Sequence, residues 1–508
     1  MELHSGLFDV PAIRRFVPLK LKPFVLLAFV IVFQFSGGIY LAAVNEMTGS
    51  TALLEEDILM AGYASMTGMS LIFAIVFRLK CRFSSRTVFL LCPAMIIAAN
   101  IVAMTTRSVP VLVATCFTAG FFRMWGTFEC NSLLQLWITP KRDFSVFFCY
   151  IFLLVQGCIS LSGMTHAWLA FLLGWEYIHL FVIGLLLLVM GATLLLFNDR
   201  RVMPYIPLYG VDWLGMALWG IAALAILFVC TYGEYYDWFD SPFIGAGCVT
   251  AVTAAALNVW RASFIRHPFI ANETWRYPIV GRVIVIYVLF YVLISPSHLL
   301  EHIYFEGVLD YNLMHFVSLN RAVVIGTVAG AGFTWLTFCR RKWPYQRMVA
   351  IAFATVTAYL AICYFTLDYD LPKAAFAVPL FLRGFGYVVI AVALLTAMSP
   401  RVPFVHFFQA VTIQNTVSAA LAGPIGVAVL EEVLKQVGQR NAMLLGSAVD
   451  RVNLLASRLM TGELYGAVQQ QALMVSMKEI FGWLTIAGIG CTLVLLLRRD
   501  DAKQPERQ

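Results

Sequence analysis

A stretch of this chain repeats itself 260 residues later without a gap. Phe121-Phe122-Arg123-Met124-Trp125-Gly126 is matched by Phe381-Leu382-Arg383-Gly384-Phe385-Gly386, so both copies carry F-x-R-x-x-G. The register continues through Thr139-Pro140-Lys141 with Phe144, Phe147 and Phe148, which meet Ser399-Pro400-Arg401 with Phe404, Phe407 and Phe408. Gly163 then falls on Gly423. Matches this numerous in one register mark a parallel duplication, and a duplicated chain folds as two like halves.

The medium in which those halves fold follows from composition. Over 508 residues, 61% are apolar and 12% charged, with a mean hydropathy of +0.83. Soluble domains hold about 45–50% apolar and about 25% charged residues. The chain is therefore an all-α polytopic membrane protein, because a bilayer forces long apolar segments into helices. Apolar runs of about 20 residues predict fourteen spans, at 20–44, 57–77, 87–106, 109–133, 144–165, 175–197, 211–231, 243–260, 279–297, 313–337, 348–366, 374–398, 404–430 and 477–497. A parallel repeat within such a chain is the plan of two-halved secondary transporters, whose site lies between the halves.

The basic residues orient these spans, since inner loops hold the Lys and Arg excess. Arg14, Arg15, Lys20 and Lys22 precede span 1, and Arg78, Lys80, Arg82 and Arg86 follow span 2. Clusters recur at Lys141/Arg142, Arg200/Arg201, Arg261 to Arg282, Arg340 to Arg347, Arg401 and Arg498 to Arg507. The opposite loops carry acids instead, as in Gly233-Glu234-Tyr235-Tyr236-Asp237-Trp238-Phe239-Asp240. Both termini are thus expected in the cytoplasm, and the net charge of +7 reflects topology rather than a nucleic-acid partner. The first apolar run is too long for a signal peptide and lacks a small-residue cleavage site. The eleven cysteines lie in or beside spans and show neither disulfide nor zinc spacing.

Because the repeat pairs spans 4 and 5 with spans 12 and 13, the halves are spans 1 to 6 and 9 to 14. The organisation is then a six-helix half over 1–200, two inserted spans over 201–278, and a second six-helix half over 279–508. Residues 431–476 form a polar outer segment, expected as one or two amphipathic helices outside the membrane.

These residues resemble the fourteen-span drug:proton antiporter branch of the major facilitator superfamily. Asp212-Trp213-Leu214-Gly215, continuing to Gly233 and Asp237-Trp238-Phe239-Asp240-Ser241-Pro242, is similar to that family's inserted-helix signature. Gln471-Ala472 and Phe481 fall at the family's spacing before the last span, with Glu479 for its usual Asp, and Arg123-Met124-Trp125-Gly126 is similar to its fourth-span R-x-x-G. The loop after span 2 departs from Gly-x-Leu-x-Asp-Arg-x-Gly-x-Arg, keeping Leu79, Arg82 and Arg86 but losing both glycines and the aspartate. The span-5 Gly-Pro is reduced to Gly163-Met164, although Gly423-Pro424-Ile425-Gly426 stands at the repeat position, and Ser36 replaces an Asp common in span 1. The resemblance implies a major facilitator fold of two six-helix halves plus two inserted helices. It also implies export of amphipathic or cationic small molecules from the bacterial inner membrane by alternating access with proton antiport. Arg82, Arg86, Gly126, Gly163, Gly386, Gly423 and Pro424 are its gating or conformational positions. A periplasmic adaptor and an outer-membrane channel are its usual partners, and no cofactor or enzymatic activity is implied. The altered loop and the missing span-1 acid leave a facilitator, an importer of a narrower solute or a non-transporting sensor as alternatives.

A charge inside a bilayer is costly and is by default a functional candidate. Four such charges are expected to be buried: Arg123, Glu129, Arg321 and Arg383. The two repeat-related arginines serve either as anchors on backbone carbonyls or as functional charges. Glu129 has Val389 as its repeat partner, so the shared architecture does not account for it. Six residues separate it from Arg123, about 120° around a helix, so the two do not pair within span 4. Glu129 is the expected proton-responsive group, tuned indirectly by Arg123, unless it reaches the inner water layer. Gln34, Ser36, Asn131, Gln409 and Gln414, with Arg321 and Arg383, are candidates for lining a central cavity, against the commoner role of interhelical hydrogen bonding. His298-Leu299-Leu300-Glu301-His302 matches the zinc pattern H-x-x-E-H, but it falls at the outer end of span 9 with no third ligand beyond Glu306, and a polar interfacial turn accounts for it. Asn272-Glu273-Thr274 fits a glycosylation sequon on the inner side, where it is unused.

Overall fold

The computed structural model describes residues 12–139, 143–201, 203–449 and 461–497. The helices are α1 (Lys22–Phe35), α2 (Glu55–Leu71), α3 (Phe73–Arg82), α4 (Ser85–Thr105), α5 (Val109–Ile138), α6 (Phe144–Leu172), α7 (Glu176–Leu196), α8 (Trp213–Tyr232) and α9 (Pro242–Ala262). They continue with α10 (Pro278–Ile294), α11 (Leu313–Thr334), α12 (Tyr345–Thr366), α13 (Ala377–Met398), α14 (Phe404–Asn415), α15 (Ala422–Ala448) and α16 (Thr461–Leu497). Most are apolar around their whole circumference, as a helix must be where lipid replaces water. Among the described residues, twelve helices are long and apolar enough to cross a bilayer. A thirteenth crossing is counted if α2 and α3, bent by 59°, act as one span, and α1 is a shorter apolar helix of 14 residues. The protein is a multi-pass membrane protein.

Two compact units divide these elements. One runs to Tyr291 and adds Leu313–Val317 and Leu395–Ala428; the other holds Val292–Asn312, Ser318–Leu394 and the chain from Val429 onward.

The first span departs from expectation. A continuous helix over 20–44 was expected, but α1 stops at Phe35, where Ser36 Oγ donates back to the Phe33 carbonyl at 2.7 Å. Gly38 then takes φ +78°, a left-handed conformation open to glycine at little cost, and two short helices, Ile39–Ala42 and Val44–Thr51, follow. In the second repeat α10 stops at Ile294, and a 3₁₀ turn, Ser295–Ser297, leads through Leu300–His302 into a π turn at Ile303–Val308. Subtracting the repeat spacing puts Ser295 on Phe35, so the first span of each half breaks in one register.

Close backbone approaches also recur. A methyl group on Gly68 would lie 2.1 Å from the Phe117 carbonyl oxygen, and one on Gly120 would lie 1.9 Å from that of Ser65, so α2 and α5 touch backbone to backbone. In the other unit a methyl on Gly326 would lie 2.1 Å from the Phe381 oxygen, and one on Gly384 2.4 Å from that of Val323, joining α11 to α13 the same way. Such small-residue seams drive helix association where no hydrophobic force acts.

The pair α8 and α9, expected from the sequence as an insertion, is tied by Asp212. Its carboxylate caps α8 by accepting from Gly215 N at 2.9 Å, pairs with Arg261 Nη1 at 2.6 Å and accepts from Phe269 N at 3.1 Å. Asn258 Nδ2 of α9 donates to the Gly215 carbonyl at 2.7 Å. The Asp212-Trp213-Leu214-Gly215 stretch is therefore a helix cap and a hairpin lock.

The described part of the polar segment 431–476 is helical, but its helices are continuations of the flanking apolar helices rather than separate amphipathic ones. α15 runs on to Ala448 and α16 begins at Thr461; residues 450–460 lie outside the described residues. Asn441 Nδ2 reaches Ser476 Oγ at 2.9 Å and Glu479 Oε2 at 3.3 Å, which joins the two extensions.

Candidate functional site

The carboxylate of Glu129, on α5, is met by groups from the preceding two helices. Glu129 is 3% exposed. Lys80 Nζ of α3 lies 3.1 Å from Oε2, Ser85 Oγ at the start of α4 donates to Oε1 at 2.5 Å, and Lys80 also reaches Ser132 Oγ at 2.5 Å. Lys80 was legible only as part of a cytoplasmic basic cluster. The bend between α2 and α3 carries it inward, and at 8% exposure it is a buried counter-ion.

The two repeat-related arginines have different surroundings. Arg383 Nη1 of α13 forms an ion pair with Glu301 Oε2, and Tyr359 OH of α12 donates to Glu301 Oε1 at 2.6 Å. The acid of the H-x-x-E-H pattern is thus held by an arginine and a tyrosine, while His302 Nδ1 turns to Glu306 Oε1 at 3.3 Å. Among the described residues no group of three or more His, Cys, Asp or Glu side chains is placed to hold a metal ion. Arg123, in contrast, is 8% exposed and has no carboxylate partner. Its one hydrogen bond among the described residues runs from Nη2 to Met69 Sδ at 3.0 Å, and Nε is buried without a partner. The guanidinium lies on the break after α1, where a methyl on Gly37 would come within 1.0 Å of Nη1.

The other expected positions divide. Asn131 lines a cavity of about 390 Å³ whose walls include Pro23, Phe24 and Leu27 of α1, Trp137 of α5 and Tyr150 of α6. Gln34 Nε2 donates to Thr127 Oγ1 at 3.0 Å and Gln414 Nε2 to Tyr287 OH at 3.1 Å, both interhelical. Gln409 Oε1 accepts from Ala271 N at 3.2 Å and Thr274 Oγ1 at 2.8 Å, holding the segment before α10. Ser36 is occupied by its own helix end. Arg321 was expected to be buried and is exposed on α11.

No protein-family model matches the sequence, and no curated protein matches it. Solved structures do match over nearly the whole chain. A mutant of the peptide transporter POT in complex with alafosfalin shares 14% identity over 94% of this chain and 95% of its own, with a TM-score of 0.55. A structure on substrate recognition in proton-dependent oligopeptide transporters shares 11% over 93% and 97%, at 0.56. An auto-inhibited POT family peptide transporter shares 14% over 97% and 99%, at 0.53. The chain shares the fold of these peptide transporters.

Within this fold, the expected gating positions fall into two packing classes that respect the repeat. Methyl groups on Gly126 and Gly386 would collide, the first 2.3 Å from Phe33 Cζ and the second 2.6 Å from Thr355 Oγ1, whereas Gly163 and Gly423 have nothing within 4 Å. Pro424 follows a π turn, Thr416–Leu421, which accommodates its missing N–H. Arg82 lies over the Tyr205 ring at 4.6 Å, and Arg86 is half-buried at the start of α4.

Proposed function

We propose that this chain is a secondary active transporter that exports amphipathic small molecules by alternating access, with Glu129 as the group through which protons enter. The carrying observation is a buried carboxylate whose neighbours belong to three successive helices, Lys80 on α3, Ser85 on α4 and Ser132 beside it on α5. Protonation of Glu129 removes the attraction to Lys80, so proton binding is linked to the position of α3 against α5. The fourteen-span arrangement belongs to the same reading. It counts the short first helix and the bent α2–α3 pair as one crossing each beside the twelve regular ones. In it α8 and α9, tied together through Asp212, are an insertion between halves over 1–200 and 279–508, with both ends on the cytoplasmic face of a bacterial inner membrane.

A facilitator is the second reading, favoured by the same cluster, since a carboxylate saturated by Lys80 and Ser85 has less need to exchange protons. Inverted membrane vesicles with a pH-reporting dye distinguish the two. Amphipathic compounds added to energised vesicles should release protons through the intact protein and not through Glu129→Gln. Flux that continues with no proton movement would establish the facilitator instead.

A further inference from the structure

We infer that Arg123 is a binding site for an anionic group of the transported molecule, so that the substrates are amphipathic carboxylates or similar oxyanions; this deepens the export reading above and rests on it. The repeat supplies the argument. Arg383 is neutralised by Glu301, which lies just past the break in the first span of its half. One repeat earlier the residue at that place is Leu41. Arg123 therefore has the same position on the fourth span and the same broken helix beside it, but no acid.

The surroundings of Arg123 suit an anion that comes and goes. A methionine sulfur is a weak acceptor and uses one of five guanidinium hydrogens. Ser162 Oγ of α6 contacts the Gly37 carbonyl at 3.4 Å and His166 Nδ1 at 3.5 Å, while His166 Nε2 is buried without a partner. A buried donor without a partner, Arg123 Nε, thus stands beside a break in the first apolar helix, the arrangement in which transporters hold charged groups of their substrates. A guanidinium fork matches a carboxylate in a way an ammonium does not. The aromatic cavity beside Asn131 opens eight residues further along α5, about 12 Å inward, and its apolar walls fit the body of an amphipathic acid. Sodium chloride serves to tell a substrate carboxylate from a small inorganic anion.

The test is binding of 2-naphthoate, 2-naphthamide and 2-naphthylmethylammonium to the purified full-length protein, by thermal shift and titration calorimetry. Naphthoate should bind about tenfold or more tightly than the other two, as a charge-assisted pair requires. Arg123→Gln should abolish that preference and Arg123→Lys should retain part of it. Equal binding of all three ligands by the intact protein overturns the proposal without any variant, and so does a preference that survives Arg123→Gln. Competition by chloride at millimolar concentration would make Arg123 a small-ion site and equally overturn it. The export reading fails separately: naphthoate preference without proton release sinks export alone, whereas proton release driven equally by neutral and cationic compounds sinks this inference alone.

Discussion

Lys80 and Glu129 form a buried ion pair at 3.1 Å, with side chains 7% and 4% exposed, although one was expected in a cytoplasmic loop and the other inside a span. A pair of this kind is far more sensitive to losing one partner than to losing both. Lys80→Gln should destabilise the protein by about 3–5 kcal/mol, and Lys80→Gln with Glu129→Gln by clearly less. Melting followed by fluorescence-detected size exclusion checks the order; a double variant as unstable as Lys80→Gln would show that the charges do not act together.

The same substitution should act oppositely at the two ends of the repeat. Arg383→Gln leaves Glu301 buried with only Tyr359 and should cost about 3–5 kcal/mol. Arg123→Gln removes a cation with no carboxylate partner and should leave the melting temperature unchanged or raised. Comparable losses from both would make Arg123 a structural anchor.

Asp212→Ala should loosen the α8–α9 hairpin. It deletes a helix cap, a partner of Arg261 and the acceptor for Phe269 N, together about 2 kcal/mol or more. The expected result is faster proteolysis between Ser263 and Tyr277, with the fold of α1 to α7 retained. Unchanged cleavage would separate the hairpin from its cap.

Glycine replacements divide by packing. Gly126→Ala and Gly386→Ala should lower folded yield, since each added carbon meets Phe33 or Thr355. Gly163→Ala and Gly423→Ala should fold normally. Loss of transport in well-folded Gly163→Ala or Gly423→Ala would assign those glycines to motion, and full activity in both would remove them from the gating set.

The sequence carried the membrane class and nearly every helix position, because apolar length is the signal a bilayer imposes. It also carried the repeat, but not how differently the two arginines are treated. Glu301 was hidden inside an H-x-x-E-H pattern at a span end, and its partner lies 82 residues away. Lys80 was hidden by its neighbours, since three flanking basic residues make a buried lysine look like part of a surface cluster. The break at Gly37-Gly38 was written in two adjacent glycines, yet hydropathy averages over such a pair. Arg321 failed in the opposite sense: position along a helix does not say which face it occupies.

The extension of the last helix gives the protein a readout of its own interior. At 37 residues, α16 is about 55 Å long against a hydrocarbon core of about 30 Å. Clamped to its neighbour through Asn441, it projects as a stiff pointer, and a small change of angle within the bilayer becomes a larger swing at Thr461. Under the transport reading proposed above, a dye attached near that end would register the working stroke without touching the substrate path.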